Sequence, residues 1–376
     1  MSNAAAADDA AATALLTVDL DALAANYRIL RDLSAPAECA TVVKADAYGL
    51  GMAEVAPALA HAGCKTFFVA TLGEAEELRA LLPDSEIYVL CGLLEDTGPF
   101  YLRLALRPVL NSAGEVKEWA ALAKTVPIRL PAAIHVDSGM NRLGLSATDI
   151  ETVTGAKELL ASFELVLLMS HLACADEPDH AKNETQRKSF EALRQRFPKA
   201  RASFANSAGI LLGRAYHYDL VRPGIALYGG KARRTGDNPF TPVVHLAGRV
   251  LQVREAPAGE SVGYGATQTL KRPSRIATVG VGYADGFFRS LSVGDGRQGL
   301  HVYLGSHPVP VLGRVSMDLI TLDVTGVPDA LARRGSWVEL IGPHVAAHEF
   351  AAHAGTIDYE VLTSLSARAL RRYVGG

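Results

Sequence analysis

Short apolar runs alternate with amphipathic segments along the first part of the chain. Eight of these runs have the length and composition of buried strands, and they span residues 39–44, 66–70, 86–90, 107–110, 132–137, 164–171, 202–206 and 220–222. Helix-compatible segments lie between most of them, including residues 74–82, 113–123 and 184–196. Before them, Asp19 is placed to cap a helix that runs through Leu23, Tyr27 and Leu30. Eight strands alternating with helices predict an α/β fold, a (β/α)8 TIM-type barrel.

The pattern changes at about residue 241, where strand-like runs follow one another with few helices between them. These runs span residues 243–253, 275–283, 301–304, 309–315, 319–324 and 337–341. We therefore expect the barrel, residues 14–240, to be followed by a mostly β C-terminal domain, residues 241–376. Residues 231–242, which include glycine and proline, are expected to link the two. The alanine-rich residues 1–13 are expected to form a disordered tail.

Composition and charge narrow the classes of function. The 376 residues are 49% hydrophobic and 20% charged, as expected of a globular protein with a large core. The formal net charge of −3 gives no general attraction to nucleic acid or to an anionic membrane, and no segment approaches a membrane span. The four cysteines are far apart, without metal-ligand spacing or a secretory signal. We expect reduced thiols, no metal and a cytoplasmic location.

Polar residues occur where the predicted barrel strands end, which is where the active sites of such barrels form. Five of the eight strands end in this way, with Lys44; His135, Asp137 and the nearby Arg142; His171; Asn206 and Ser207; and Arg222 and Gly224. A lysine at the end of a buried strand is either an ordinary solvent-facing cation or, if it is desolvated, a candidate for forming a Schiff base.

The loops after the seventh and eighth predicted strands suit a phosphate. Barrels often bind phosphate there, with backbone N–H groups and a helix N-terminus. The sequences Asn206-Ser207-Ala208-Gly209 and Gly224-Ile225 offer a hydroxyl, backbone donors and little bulk, although two ordinary turns would look the same. A reactive lysine and a phosphate site on one rim together suggest pyridoxal 5'-phosphate as the cofactor.

Nine separated segments resemble, in order, the motifs of alanine racemases, the pyridoxal phosphate enzymes that interconvert the two enantiomers of alanine. They are VKADAYG at 43–49, DSGMNRLG at 137–144, SHLA at 170–173, ANSA at 205–208, RPGIALYG at 222–229, GYGAT at 263–267, GYADG at 282–286, GRVSMD at 313–318 and TIDYE at 356–360. The resemblance covers nearly the whole chain and implies the same barrel-plus-β-domain fold.

The resemblance implies a two-base mechanism. Lys44 carries the cofactor and serves one face of the substrate, and Tyr264 of the partner subunit serves the other. A phenol with an ordinary pKa of about 10 is a weak base at neutral pH, so its ionised form needs the stabilisation that the resemblance assigns to His171 and Arg222. Arg222 is also implied to face the pyridine nitrogen, where a fixed cation disfavours protonation.

The remaining implied roles concern binding and assembly. Arg142 is expected near the cofactor phenolate oxygen and the substrate carboxylate. Besides Lys44 and Arg222, the implied cofactor-binding residues are Tyr48, Asn206, Ser207, Gly224, Ile225 and Tyr359. Tyr283 and the partner subunit's Met317 are implied in substrate binding, and Asp318 in support of catalysis. The protein would be a head-to-tail homodimer that makes D-alanine for peptidoglycan precursors or takes part in alanine catabolism. Without the resemblance, Tyr264 and Tyr283 would be interpreted as packed strand aromatics.

Two positions depart from the family pattern. His135 stands where relatives often carry a carbamylated lysine that fixes the neighbouring arginine. Since histidine forms no lasting carbamate of that kind, our hypothesis is that a bound anion such as chloride, or His135 itself, orients Arg142. Ser316 stands where cysteine is common, and we expect little loss of activity from this change.

Three other functions stay open on the sequence alone. A racemase of this fold acting on serine or on several amino acids would differ in pocket volume, which the sequence does not give. A barrel-plus-β decarboxylase is less compatible with the Gly263-Tyr264-Gly265 match. A non-catalytic pyridoxal phosphate carrier would resemble the barrel alone.

Overall fold

The computed structural model describes residues 10–296 and 299–376, which divide into two compact units. The larger unit comprises residues 23–227 and 231–240, and the smaller unit comprises residues 228–230, residues 241–376 and the N-terminal segment through Ala22. The sequence analysis assigns residues 14–22 to the barrel. They belong instead to the smaller unit, because strand β1, Ala14–Asp19, pairs with two strands of that unit.

The larger unit is built on a parallel sheet. Its strands are β2 Glu38–Cys39, β3 Thr41–Val42, β4 Thr66–Val69, β5 Glu86–Val89, β6 Arg107–Leu110, β7 Pro131–His135, β8 Glu164–Met169, β9 Arg201–Ser203 and β10 Leu220–Val221. β2 and β3 are halves of one strand, separated by Ala40. β2 pairs with β10 and β3 pairs with β4, so the sheet closes on itself. The predicted eight-stranded barrel is confirmed.

Helices follow most of the barrel strands. They span Leu20–Ser34, Met52–His61, Leu72–Leu81, Gly98–Arg103, Ala113–Ala123, Ala147–Gly155, Lys157–Ala161, Lys182–Arg194 and Ser207–Leu211. The predicted cap at Asp19 is present, since its Oδ1 accepts a hydrogen bond from the backbone N–H of Ala22 at 2.8 Å. All four residues of β4 are buried, as expected for a strand covered on both faces.

The smaller unit is mostly antiparallel sheet, as predicted. Besides β1, its strands are β11 Val244–Ala256, β12 Ser261–Val262, β13 Gln268–Thr269, β14 Ser274–Val279, β15 His301–Leu304, β16 His307–Leu312, β17 Ile320–Asp323, β18 Trp337–Ile341 and β19 Leu370–Val374. The long strand β11 pairs with both β14 and β18, which closes six strands into a ring in the order β11-β14-β17-β16-β15-β18. Two helices, Ala347–Ala354 and Asp358–Thr363, complete the unit.

The predicted disordered tail falls partly outside the described residues, which begin at residue 10. Thr13 does not fit that prediction, since its carbonyl accepts a hydrogen bond from Arg249 N at 2.8 Å. Among the described helices, none combines the length and the apolar character needed to cross a membrane.

Candidate active site

The backbone that carries Lys44 turns in the left-handed sense directly after β3. Four successive non-glycine residues, Ala45 to Tyr48, have φ between 52° and 57°. L-residues avoid this conformation, which costs about 1–2 kcal/mol for each residue. The predicted strand runs through Lys44, whereas β3 ends at Val42 and the left-handed segment follows it. This backbone conformation determines the directions in which the side chains of Lys44 and Tyr48 extend from the end of β3.

Glu74 holds the left-handed segment in place. Its Oε1 accepts a hydrogen bond from Ala45 N at 2.8 Å, and its Oε2 accepts from Ala70 N at 2.7 Å, just beyond the end of β4. One carboxylate therefore joins the Lys44 segment to the neighbouring strand. The sequence analysis missed this role, because Glu74 there is only one residue of a predicted helix.

Lys44 is in an environment that favours its uncharged form. Burial lowers the pKa of the Lys44 ammonium, and the positive charge of Arg142 lowers it further, against smaller opposing effects of Cys91 and Glu74. An unprotonated amine is a nucleophile toward a carbonyl carbon and a proton acceptor. The structure thus supports the reactive interpretation of Lys44 over that of an ordinary solvent-facing lysine.

Arg222 is a buried cation at the end of β10, with 4% of its surface exposed. It donates to the carbonyl of Ser170 at 2.7 Å and to the hydroxyl of Ser203, and its guanidinium lies 6.0 Å from the centre of the Phe68 ring. Burial lowers its pKa to about 9, so it stays charged at neutral pH. Ser170 and Ser203 were given no role from the sequence, although both lie in predicted strands whose polar ends were singled out.

Two histidines near Arg222 are neutral at pH 7. Burial and the charge of Arg222 lower the pKa of His135 to about 4, with a smaller contribution from Arg142. The same causes lower the pKa of His171 well below its ordinary value, with His135 and Lys44 adding to the effect. Both imidazoles can therefore offer a lone pair without adding positive charge to a site that already holds two guanidinium groups.

Arg142 lies on the loop after β7, and Asp137 shapes that loop. Asp137 Oδ1 accepts hydrogen bonds from the backbone N–H groups of Gly139 (2.8 Å), Met140 (2.8 Å) and Asn141 (3.2 Å). Burial raises the pKa of the Asp137 carboxyl, but these three donors outweigh it and the pKa is lowered. The Arg142 side chain is exposed, and within the described part of the chain no group is hydrogen-bonded to it.

Ser207 joins the ends of the seventh and eighth barrel strands. Its hydroxyl oxygen accepts hydrogen bonds from Gly224 N at 2.9 Å and Ala226 N at 3.3 Å. With both lone pairs used, the Ser207 hydroxyl proton is available for donation. The adjacent Asn206 caps the short helix Ser207–Leu211, with its Oδ1 accepting from Gly209 N at 2.9 Å.

Gly224 packs against Tyr48. A Cβ atom built on Gly224 would lie 2.1 Å from the phenolic oxygen of Tyr48, so this position accepts only glycine while Tyr48 keeps its place. Tyr48 is buried, and burial raises the pKa of its phenol, which is therefore a neutral hydrogen-bond donor at physiological pH. Ile225, the next residue after Gly224, is fully buried as well. The hydroxyl groups of Tyr48 and Ser207 thus flank a part of the rim that has no side-chain bulk at Gly224.

In the smaller unit, Tyr264 lies in the turn between β12 and β13 with 72% of its surface exposed. The interpretation of Tyr264 as a packed strand aromatic is therefore wrong. Met317 is 53% exposed and Tyr283 is 42% exposed. All three side chains are therefore accessible at the surface of the smaller unit.

The segments that carry Tyr283 and Met317 are joined side by side. Tyr283 N donates to the carbonyl of Ser316, and Ala284 N donates to that of Met317, both at 3.0 Å. A Cβ atom on Gly282 would lie 2.3 Å from the Met317 carbonyl oxygen, which explains the glycine there. The motifs at 282–286 and 313–318 thus form one surface.

Arg368 forms ion pairs with two carboxylates of this surface. Its guanidinium lies 2.9 Å from an Asp318 carboxylate oxygen and 3.4 Å from one of the buried Asp285. Asp285 in turn accepts a hydrogen bond from Gly282 N at 2.9 Å. The sequence analysis named Asp318 but missed Arg368, which lies outside every recognised motif.

The structure brings the predicted residues together as two groups. One group lies at the carboxyl end of the barrel strands and comprises Lys44, Tyr48, His135, Asp137, Arg142, His171, Asn206, Ser207, Arg222, Gly224 and Ile225. The other belongs to the smaller unit and comprises Tyr264, Tyr283, Met317, Asp318 and Tyr359, the last of which is in the helix Asp358–Thr363.

Comparisons with known proteins agree on one family. Residues 18–232 match the model of the alanine racemase N-terminal domain, and residues 243–373 match that of the C-terminal domain. The chain is 51% identical to the alanine racemase of Rhodospirillum rubrum over 97% of its own length and 96% of that protein. It is 48% identical to that of Methylobacterium nodulans, with 96% of each chain covered.

Solved structures give the same result. The alanine racemase of Bartonella henselae with covalently bound pyridoxal phosphate matches with a TM-score of 0.92 at 41% identity, over 96% of this chain and 100% of that one. The biosynthetic alanine racemase of Pseudomonas aeruginosa matches with a TM-score of 0.88 at 37% identity, over 97% of this chain and 100% of the other.

Proposed function

The chain belongs to the alanine racemase family, and from this premise we propose that it interconverts L-alanine and D-alanine with pyridoxal phosphate by a two-base mechanism. The observation that carries the proposal is the combination of two groups on the barrel rim. An amine of lowered pKa at Lys44 and the Ser207–Gly224 cradle lie at the ends of strands of one barrel.

The barrel site fits this cofactor on the evidence of its own groups. Lys44 offers an amine to the aldehyde, and the hydroxyl groups of Ser207 and Tyr48 lie together at Gly224, where they can donate hydrogen bonds to a phosphate group. We propose that these residues hold the cofactor together with Asn206, Ile225, Arg222 and Tyr359. The cofactor, when bound, withdraws electrons from the α-carbon of the amino acid and so makes its proton removable.

The chain supplies the proton transfers. Burial and the charge of Arg142 lower the pKa of the Lys44 amine, which favours its role as the base that would take the α-proton on one face or return it. Tyr264 of the partner subunit does the same on the opposite face. Neutral His171 and cationic Arg222 stabilise the ionised form of that phenol.

In this scheme Arg142 and a backbone contact position the substrate, and Arg222 limits side reactions. Arg142, whose guanidinium has no partner among the described residues, binds the substrate carboxylate, and Met317 of the partner subunit adds a backbone contact to it. Tyr283 and Asp318 border the entrance to the site. Arg222 is held by Ser170 and Ser203, and its fixed charge would disfavour protonation of the cofactor's pyridine nitrogen.

We propose a head-to-tail homodimer, in which each barrel site uses residues of the smaller unit of the other chain. The exposure of Tyr264 and Met317 supports this assembly, because both side chains lie at the surface of the smaller unit, where another chain can reach them. We also propose that the enzyme works in the cytoplasm and supplies D-alanine for peptidoglycan precursors. Growth of a bacterium that lacks alanine racemase, on medium without D-alanine, tests that role.

The central experiment measures D-alanine formation from L-alanine by the wild type and by Lys44→Ala and Tyr264→Phe. We expect each substitution to lower kcat by about 10²–10⁴-fold, the usual contribution of a positioned acid or base. In Tyr264→Phe, exchange of the α-proton with solvent deuterium should fall more for one enantiomer than for the other. Equal losses for both enantiomers would contradict the assignment of one base to each face. Relative kcat/KM for L-alanine, L-serine and L-lysine tests the preference for alanine.

A further inference from the structure

Asn111 lies directly after β6 and is buried beside His135, the last residue of β7. Its Oδ1 is 2.9 Å from His135 Nδ1, while its Nδ2 donates to the carbonyl of Val109 at 2.8 Å and to that of Leu90 at 3.3 Å. No step of the mechanism above uses this asparagine, and the sequence analysis gave it no role.

The amide of Asn111 has only one orientation that satisfies its partners. Two backbone carbonyls face one side of the amide, and they accept hydrogen bonds only from N–H groups, so the NH₂ must lie there and the oxygen must face His135. An amide oxygen cannot donate, so the hydrogen in the contact with His135 belongs to Nδ1. The neutral imidazole therefore carries its proton on Nδ1 and a lone pair on Nε2.

Four charged or titratable groups act on the His135 ring, namely Arg222, Asp137, Arg142 and His171. Arg222 is already held by two serines, and Asp137 accepts three backbone N–H groups. Arg142 is the cation in this set whose guanidinium has no hydrogen-bond partner in the described residues.

The loop that carries Arg142 is closed by a backbone hydrogen bond to His135 itself. Leu145 N donates to the carbonyl of His135 at 2.8 Å, so the loop returns to the residue from which it left. A Cβ atom on Gly144 would lie 3.2 Å from His135 Cδ2, so the ring packs against the backbone next to the loop's end. The loop that carries Arg142 and the His135 ring are therefore neighbours.

We propose that Asn111 is a positioning residue that locks His135 as the Nδ1–H tautomer, so that His135 Nε2 accepts a hydrogen bond from Arg142 and holds its guanidinium ready for the substrate carboxylate. This inference rests on the proposed function for the identity of the bound carboxylate. Of the two sequence-based hypotheses for what orients Arg142, it selects His135 rather than a bound anion.

The tautomer can be measured without catalysis. Nitrogen-15 spectra of histidine-labelled protein without cofactor distinguish Nδ1–H from Nε2–H, and the signals of His135 are assigned by their loss in His135→Gln. We expect Nδ1–H in the wild type and loss of this preference in Asn111→Leu, which removes the acceptor at nearly constant volume. An Nε2–H tautomer in the wild type overturns the proposal.

The kinetic test separates positioning from general stability. Asn111→Leu should raise KM for alanine about tenfold and change kcat by less than about threefold. The matched control is Asn183→Leu, since Asn183 is also buried and also donates through Nδ2 to two carbonyls, those of Glu177 and Pro178, in a different part of the barrel. Asn183→Leu should leave KM unchanged. An altered tautomer with an unchanged KM in Asn111→Leu contradicts the proposal.

A second variant keeps the test decisive if Asn111→Leu does not fold. In Asn111→Asp the carboxylate still accepts from Nδ1–H, but it raises the pKa of the imidazole, so that Nε2 becomes protonated at low pH and can no longer accept from Arg142. KM for alanine should be high at pH 6 and fall toward the wild-type value as the pH rises. A pH-independent KM overturns the proposal. A wild type that forms no D-alanine refutes the proposed function instead, and leaves the tautomer result standing.

Discussion

At the scale of single residues, the proposed cofactor cradle depends on the absence of a side chain at Gly224. In Gly224→Ala the new methyl group overlaps the Tyr48 phenol, and the ring must move away from the cradle. We expect the affinity of the apoprotein for pyridoxal phosphate to fall about tenfold, measured by titration with absorbance detection. Gly155→Ala is the control, because a Cβ atom at that helical position meets no atom within 4 Å. Wild-type affinity in Gly224→Ala would mean that the phosphate binds elsewhere.

The reactivity of Lys44 gives a second prediction, in which two substitutions have opposite signs. Arg142→Gln removes a cation that lowers the pKa of Lys44, so that pKa should rise. Glu74→Gln removes an anion that raises it, so the pKa should fall, while burial, the largest influence, stays the same. The rate of covalent cofactor attachment to the apoprotein, followed against pH, should therefore reach its half-maximum at higher pH in the first variant and at lower pH in the second. Shifts in the same direction would contradict this electrostatic account.

At the scale of structural elements, the left-handed segment after β3 predicts an inverted response to glycine. Glycine adopts positive φ without the steric cost that alanine carries, whereas inside a right-handed helix it is less stable than alanine by about 1 kcal/mol. Ala45 is exposed, so Ala45→Gly loses no packing and should raise the free energy of unfolding of the barrel by about 0.5–1 kcal/mol. Ala121→Gly, at an exposed position of the helix Ala113–Ala123, should lower it.

Urea midpoints of the two variants and the wild type test this inversion, because a change of midpoint at constant slope reports stability. Destabilisation of similar size in both variants would mean that the segment around Ala45 is not left-handed in solution.

The same elements account for what the sequence predicted and what it did not. Apolar runs bounded by polar residues located the barrel strands, because a strand buried on both faces must be apolar throughout. The left-handed segment had no such signal, since its conformation depends on Glu74, a partner far along the chain. The position of β1 was not predicted either, because the alternation of Ala14–Asp19 is the same whichever sheet the strand joins.

At the scale of the whole molecule, the proposed catalytic groups Lys44 and Tyr264 belong to two compact units. Strand ends could be predicted to meet on the barrel rim because parallel strands share one direction. Tyr264 could not be linked to that rim by any pattern of residues, and only the family resemblance connected them. Its 72% exposure agrees with a role that is completed by another chain.

Mixing two inactive variants tests whether the active site is shared between chains. In a head-to-tail dimer of Lys44→Ala with Tyr264→Phe, one of the two sites combines the intact Lys44 of one chain with the intact Tyr264 of the other. Random exchange of subunits makes about half of the dimers mixed, so the mixture should recover about a quarter of wild-type activity. D-alanine formation is measured for each variant alone and for the mixture after reversible dissociation.

The control for this experiment is a mixture in which both substitutions are in the same chain and the other chain is wild type. That mixture keeps its wild-type dimers. In each of its mixed dimers, one site joins the intact Lys44 to the substituted position 264, and the other joins the substituted position 44 to the intact Tyr264. The mixed dimers should therefore be inactive if sites are shared, and half-active if each site is built within one chain. Recovery in the first mixture together with inactive mixed dimers in the second would assign Lys44 and Tyr264 to different chains. The opposite pattern would assign both residues to one chain.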